Sequence, residues 1–80
     1  MIHDAIDKLK TERDIAFNLN RLDEYNTYCG VIRLIYICGT KTAYRLAGGM
    51  DKIINYVRQG HCAYTANDVK RLCNAAIRKK

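Results

Sequence analysis

Apolar side chains recur at three- and four-residue steps along most of the chain, and this spacing predicts α-helices rather than strands. The chain contains no proline that would break these stretches. Glycines and short polar turns separate one apolar-periodic stretch from the next. We therefore expect an all-α protein, a small bundle of about five helices that forms a single domain over residues 1–80.

The first two predicted helices lie within residues 1–38. The first, about 2–20, carries the apolar stripe Ile2, Ala5, Ile6, Leu9, Ala16 and Leu19. The second, about 22–38, places Tyr25, Tyr28, Cys29, Ile32, Ile35 and Tyr36 on one face. Because apolar residues spread around the second helix toward its end, we expect it to be the central helix of the bundle.

Three further helices are predicted after Gly39. A short helix over 40–46, capped by Thr40, is followed by a break at Ala47-Gly48-Gly49. The next helix, about 50–59, stops at Gly60 and turns inward Ile53 and Val57, with Met50 or Tyr56 as further candidates. The last helix, over 65–78, is capped by Thr65 and carries the stripe Val69, Leu72, Cys73 and Ala76.

Residues 39–60 have the layout of a helix-turn-helix unit. Two helices that cross at a short turn need a small residue where they touch, which Ala43 supplies. The Thr40-Lys41-Thr42-Ala43 run, Leu46, Ile53 and Gly60 all stand at matching spacings to the helix-turn-helix of Cro-type repressors of lambdoid phages. The segment therefore resembles this family and, less closely, the CII-type activators.

The resemblance implies a DNA-binding transcriptional regulator of phage or mobile-element type, with the second helix of the unit in the major groove. The residues placed toward the bases would be Gly49, Met50, Asp51, Ile54 and Asn55. The residues placed toward phosphates would be Thr40, Lys41, Arg45, Lys52 and Arg58. The implied partner is double-stranded DNA, bound by a homodimer in the cytoplasm, with repression as the family's usual outcome.

Three positions depart from the family's pattern and leave a second hypothesis open. Ala47 stands where the turn glycine is usual, and Gly48 stands where an aliphatic residue follows it. Ile54 occupies a position that is often polar in relatives. It fits a thymine-methyl contact, but it also fits a helix-turn-helix scaffold that binds no DNA. The alternative function is a small phage-type inhibitor or adaptor that binds a host protein.

The charge is unevenly distributed along the sequence. The whole chain carries a net charge of +6 from 14 Lys and Arg against 8 Asp and Glu. The acids concentrate in residues 1–24, and residues 25–80 contain Asp51 and Asp68 as their acids. A basic segment of this kind indicates a polyanionic partner. A chain of 80 residues also buries a modest core, which favours sharing it with a second subunit.

Other classes of function find little support in the sequence. The four cysteines lack the close pairing of a zinc site, so we expect reduced thiols, no metal and no cofactor. The longest apolar run, Val31–Cys38, contains Arg33 and is far shorter than the ~20 residues that span a bilayer. Gly39-Thr40-Lys41-Thr42 lacks the upstream glycine of a phosphate loop, and the adjacent His61 and Cys62 have no third group to orient them. We therefore predict no enzyme, no catalytic residues and no membrane association.

Overall fold

Every regular element within residues 2–78, the part of the chain that the computed structural model describes, is an α-helix. Met1, Lys79 and Lys80 of the predicted domain lie outside the described residues. The elements are α1 (Ile2–Asn18), α2 (Leu22–Ile37), α3 (Thr40–Gly48), α4 (Met50–Arg58) and α5 (Ala66–Arg78). The predicted all-α bundle of five helices is confirmed. Apolar side chains from all five helices meet in one core.

A tight turn joins α1 to α2 in an antiparallel hairpin. Asn20 has a φ of +59°, in the left-handed region that asparagine tolerates better than most side chains. The Asn20 N–H donates to the Phe17 carbonyl at 3.0 Å, and the Arg21 N–H donates to the Ala16 carbonyl at 2.8 Å. These two bonds satisfy the last free carbonyls of α1 in a Schellman cap. Leu19, predicted as part of the buried stripe, is instead 56% exposed because the helix has ended.

The central position predicted for α2 is confirmed, since this helix packs against each of the other four. Its buried side chains are Thr27, Tyr28, Val31, Ile32, Leu34 and Ile35. The hydroxyl of Thr27 accepts from the Ala63 N–H at 3.1 Å, which ties the segment before α5 to the middle of the bundle. Tyr36, predicted to face inward, is 65% exposed.

Gly49 alone connects α3 to α4, so the predicted three-residue break at 47–49 is wrong. Helix α3 continues through Gly48, and the Gly49 N–H still donates to the Arg45 carbonyl at 3.2 Å. The cap predicted at Thr40 is also wrong, because Gly39 is the N-cap residue and no side chain caps this helix. The predicted inward residues Ala43, Leu46, Ile53 and Val57 are all buried.

Helix α5 packs so closely on α2 and on the α3–α4 turn that two glycines are needed there. A Cβ built on Gly30 would lie 2.8 Å from Val69 Cγ2. One built on Gly49 would lie 2.7 Å from Ile77 Cγ1. The predicted cap of this helix is confirmed, since the Asp68 N–H donates to the Thr65 hydroxyl at 3.1 Å. The predicted stripe of α5 is buried throughout.

Candidate functional site

Helix α1 lies alongside α4, and the two helices line a groove that we call the α1–α4 groove. Its walls are formed by Asp4, Asp7, Lys8, Thr11, Glu12, Asp51, Ile54, Asn55 and Arg58. Lys8 Nζ lies 2.8 Å from Asp51 Oδ1, and both side chains are largely exposed. The polar side of α4 is therefore faced by a helix of the same chain rather than open on all sides.

Arg58 is held firmly in this groove by Glu12. The guanidinium Nη2 lies 2.6 Å from Glu12 Oε1 and 2.7 Å from Oε2, and Nε lies 3.0 Å from Oε1. The planar guanidinium and the planar carboxylate thus meet through more than one hydrogen bond, and this contact raises the pKa of the Arg58 guanidinium. The Glu12 side chain is only 15% exposed. A predicted phosphate contact, Arg58, thus has a carboxylate partner within the fold.

Two of the residues predicted to face DNA bases lie in the core instead. Met50 is 3% exposed and Ile54 is 6% exposed. Together with Ile53 and Val57 they follow the i, i+3, i+4, i+7 spacing of a wide buried face, so the burial has a local cause. On the surface of α4, Asn55 remains exposed together with the ion-paired Asp51.

The charge of the α1–α4 groove is negative. Four carboxylates, those of Asp4, Asp7, Glu12 and Asp51, line it against the two cations Lys8 and Arg58. A surface of this balance repels phosphate rather than attracting it. The side of α4 that faces this groove is therefore an unfavourable place for a phosphate.

A second surface, formed by α2, α3 and α5, has the opposite character. Two adjoining cavities share Leu34 and Lys70. Among residues 2–78, their walls include Arg33, Arg45 and Lys70 but no aspartate or glutamate. Lys41 is exposed and stands one helical turn before Arg45 on α3, so the two side chains occupy the same side of that helix. We call the surface made by Arg33, Lys41, Arg45 and Lys70 the basic face.

The basic face is ordered by hydrogen bonding and has apolar walls. Arg45 Nη2 lies 2.6 Å from Asn74 Oδ1, which links α3 to α5. Ile37 and Tyr64 line one of the two cavities, the one between α2 and α5 that contains Arg33, and each is 69% exposed. The Asp23 carboxylate acts on Tyr64 and raises the pKa of the phenol. The surface thus combines cations with exposed apolar side chains.

The predicted phosphate set does not lie on a single surface. Lys41 and Arg45 belong to the basic face, whereas Lys52 and Arg58 are on α4 and Thr40 opens α3. All five side chains are exposed. The sequence reasoning missed the remaining cations of the basic face, since they lie outside residues 39–60. One signal was available, because Arg33 is the charged residue that interrupts the apolar run of α2.

The thiols show no sign of forming a reactive or metal-binding centre within residues 2–78. All four cysteines are free, and no three metal-ligating side chains come together in this part of the chain. Burial raises the pKa of the Cys73 thiol to about 12. Cys73 is therefore protonated near neutral pH and a poor nucleophile.

Comparison of the chain with protein-family models, with curated proteins and with solved structures finds no match. No helix within the described residues is both long and apolar enough to cross a bilayer. The function must therefore be argued from the two surfaces themselves.

Proposed function

We propose that the protein binds double-stranded DNA through the basic face, as a DNA-binding regulator of the phage or mobile-element type that the sequence resembles. The observation that carries the proposal is the separation of charge. The cavities of the basic face have three cations and no carboxylate on their walls, whereas the α1–α4 groove has an excess of carboxylates. Phosphates approach the first surface favourably and the second unfavourably.

The proposal changes which helices contact the DNA. Insertion of α4 into the major groove would bring the acidic α1–α4 groove next to phosphates. Contact through α3, α5 and the end of α2 brings Arg33, Lys41, Arg45 and Lys70 toward them instead. Arg45 is already oriented by its hydrogen bond to Asn74, so less side-chain freedom is lost when it binds a phosphate. Contacts of this kind set affinity and register more than sequence preference.

Fluorescence anisotropy with a labelled duplex of about 20 base pairs tests the proposal. The basic-face variant replaces Arg33, Lys41, Arg45 and Lys70 by glutamine. We expect it to bind about 100-fold more weakly at low salt, and the slope of log Kd against log salt to fall by about 0.9 for each phosphate that the variant no longer neutralises. Circular dichroism establishes that the variant remains helical.

A matched variant controls for net charge. It replaces Lys10, Lys52, Arg71 and Arg78 by glutamine, all of which are exposed and lie outside the basic face, the α1–α4 groove and the α1–α2 turn. We expect its affinity to stay within about threefold of the parent. No DNA binding by the parent protein at low salt would overturn the proposal, and equal losses in the two variants would show that net charge alone drives binding.

A second candidate function, binding to a host protein, is favoured by the exposed apolar residues of the basic face. Ile37 and Tyr64 present apolar surface beside the cations. A protein complex formed there survives high salt and nuclease treatment, because apolar burial does not depend on counterion release. Retention of a host protein from lysate under those conditions, lost in an Ile37→Ser/Tyr64→Ser variant, would favour this function over DNA binding.

A further inference from the structure

Four large apolar side chains are exposed at the α1–α2 turn, at the end of α2 remote from Arg33. Ile15 is 46% exposed, Phe17 58%, Leu19 56% and Leu22 51%. They fall within eight residues of sequence, whereas exposed apolar residues on a monomer are usually scattered. We call this group the turn patch.

The turn patch is held in a fixed shape. The Schellman cap at Asn20 determines the path of the chain between Leu19 and Leu22. Phe17 packs on Tyr25 of α2, with ring centroids 5.3 Å apart and ring planes inclined by 52°. Because the apolar side chains project from an ordered turn, little further ordering is needed when another surface covers them.

The charges around the turn patch are mixed, unlike those of residues 25–80, in which cations predominate. Residues 13–24 contain two cations and three carboxylates. Arg13 pairs with Asp14 at 3.1 Å and Arg21 with Glu24 at 3.7 Å, and the Arg21 side chain is 61% exposed. A surface that carries both signs can face a copy of itself, because each cation can meet a carboxylate of the other copy across a two-fold axis.

The whole chain has a net charge of +6, so two copies repel each other over most of their surfaces. Contact between the basic faces of two copies is the least favourable arrangement, because it brings cations against cations. The turn patch combines apolar surface with nearly balanced charge, so the repulsion between two copies is small there. A strongly charged partner, such as DNA, is not favoured by the same balance.

We propose that the turn patch is the contact surface of a homodimer, in which it packs against the turn patch of a second copy of this chain. The basic face stays open in such a dimer. Leu22 and Arg33 are eleven residues apart on α2, which corresponds to about 16 Å along the helix axis. The inference does not rest on the proposed DNA binding, since it follows from the apolar and charged residues of the turn alone.

Sedimentation equilibrium on the whole chain without DNA tests the proposal. Over about 5 to 500 µM, we expect the mass to rise from that of a monomer toward that of a dimer, as for a small interface. The turn-patch variant, Ile15→Ser/Leu19→Ser/Leu22→Ser, should raise the dimer dissociation constant at least about tenfold. The matched variant, Tyr36→Ser/Tyr44→Ser, removes two exposed aromatic side chains that lie outside the turn patch and line neither cavity of the basic face, and it should leave the dissociation constant unchanged.

A measurement on the parent protein guards against a variant that fails to fold. In amide NMR spectra recorded over a dilution series, we expect the concentration-dependent shifts to concentrate in residues 13–25. A parent that stays monomeric at the highest concentration, or shifts that concentrate elsewhere, would overturn the proposal. Because neither experiment contains DNA, failure here leaves the DNA-binding proposal to be judged by its own test.

Discussion

The α1–α4 groove and the basic face are both formed where packed helices leave a depression, yet they carry opposite charge. The groove receives Asp4, Asp7 and Glu12 from α1, the helix in which the acids of the chain are concentrated. The basic face contains no residue of α1 and draws its cations from α2, α3 and α5. What the exposed side of a helix can bind therefore depends on the charged side chains that the neighbouring helices place beside it.

The opposite charges of the two surfaces also change which side of the helix-turn-helix-like segment we expect to contact DNA. The sequence pattern of residues 39–60 concerns two helices, but α1 packs beside the second of them and contributes charges that the pattern does not contain. The cations of α3 are instead joined by those of α2 and α5. The resemblance therefore identified a segment close to the candidate site, and the neighbouring helices determine which side of the segment matters.

The largest effect on stability is expected where α5 meets the α3–α4 turn, because the helices approach each other closely there. The same contact positions one wall of the basic face. A Cβ at Gly49 would lie 2.7 Å from Ile77 Cγ1, so Gly49→Ala requires the Ile77 side chain or the end of α5 to move. We expect it to lower the free energy of unfolding by about 2 kcal/mol in urea denaturation.

Gly48→Ala is the matched control for this prediction. Nothing lies within 4 Å of a Cβ at Gly48, which is the last residue of α3. Alanine there should be neutral or stabilise by up to about 1 kcal/mol. Equal tolerance of both substitutions would show that the end of α5 does not pack on the turn, and the basic face would lose its α5 wall.

The second effect concerns Tyr28, which lies buried behind the α1–α4 groove. Its side chain is 1% exposed, and burial raises the pKa of the phenol to about 12, with the Glu12 and Glu24 carboxylates acting in the same direction. The unfolded chain loses this proton near pH 10, so the stabilising contribution is present below pH 10 and is lost as the pH rises toward 12. We expect a loss of about 1–2 kcal/mol over this interval.

Tyr28→Phe separates this loss from other alkaline effects. No well-formed hydrogen bond from the described residues reaches the buried Tyr28 hydroxyl, and the nearby Arg58 guanidinium opposes the effect of burial on the pKa of the phenol, so phenylalanine should be close to neutral at pH 7. Urea denaturation at several pH values should then show a smaller alkaline loss in the variant, with the buried Cys73 thiol accounting for part of the remainder. Tyr36→Phe, at an exposed tyrosine, is the control. An alkaline profile identical in the parent and in Tyr28→Phe would contradict the assignment.

The helices could be predicted from the sequence because their signals are local. Apolar periodicity located all five, and the cap at Thr65 and the stop at Gly60 follow from single residues with known backbone preferences. The errors lie where tertiary contacts override a local signal. Glycines at 48 and 49 indicated a broad break, but α3 continues through Gly48 and the turn is formed by Gly49 alone, where the Ile77 side chain leaves little room for a Cβ.

The candidate site was only partly predictable for the same reason. Lys41 and Arg45 stand in the segment that the family pattern singles out, so they were identified. Arg33 and Lys70 are distant in sequence and meet only through the packing of α2 on α5. The burial of Ile54 follows from the apolar periodicity of α4, which conflicts at this residue with the base-facing position that the family pattern implies.

The third effect tests how much the α1–α4 contact contributes to stability. Glu12→Gln removes the carboxylate that accepts from Arg58 at 2.6 and 2.7 Å, while the shape of the side chain is kept. Because the Glu12 side chain is only 15% exposed, we expect a loss of about 1 kcal/mol in urea denaturation.

Lys8→Gln provides the comparison, since the Lys8–Asp51 pair joins the same helices but is largely exposed. Its loss should cost no more than about 0.5 kcal/mol. If Lys8→Gln costs more stability than Glu12→Gln, burial does not determine which of the two ion pairs contributes more to the free energy of unfolding. The contact of α1 with α4 would then depend mainly on the exposed end of the groove.

The smallest effect directly tests whether negative charge keeps DNA from the α1–α4 groove. Asp7→Asn/Asp51→Asn removes two exposed carboxylates from its walls and leaves the Glu12–Arg58 pair in place. We expect DNA affinity at low salt to rise about threefold, because the repulsion of phosphates is reduced and exposed charges interact weakly. Asp14→Asn/Glu24→Gln removes the same charge at the α1–α2 turn as a control. A rise of equal size in both variants would assign the effect to net charge, and a rise far above threefold in Asp7→Asn/Asp51→Asn would show that α4 can also contact DNA once the groove is neutralised.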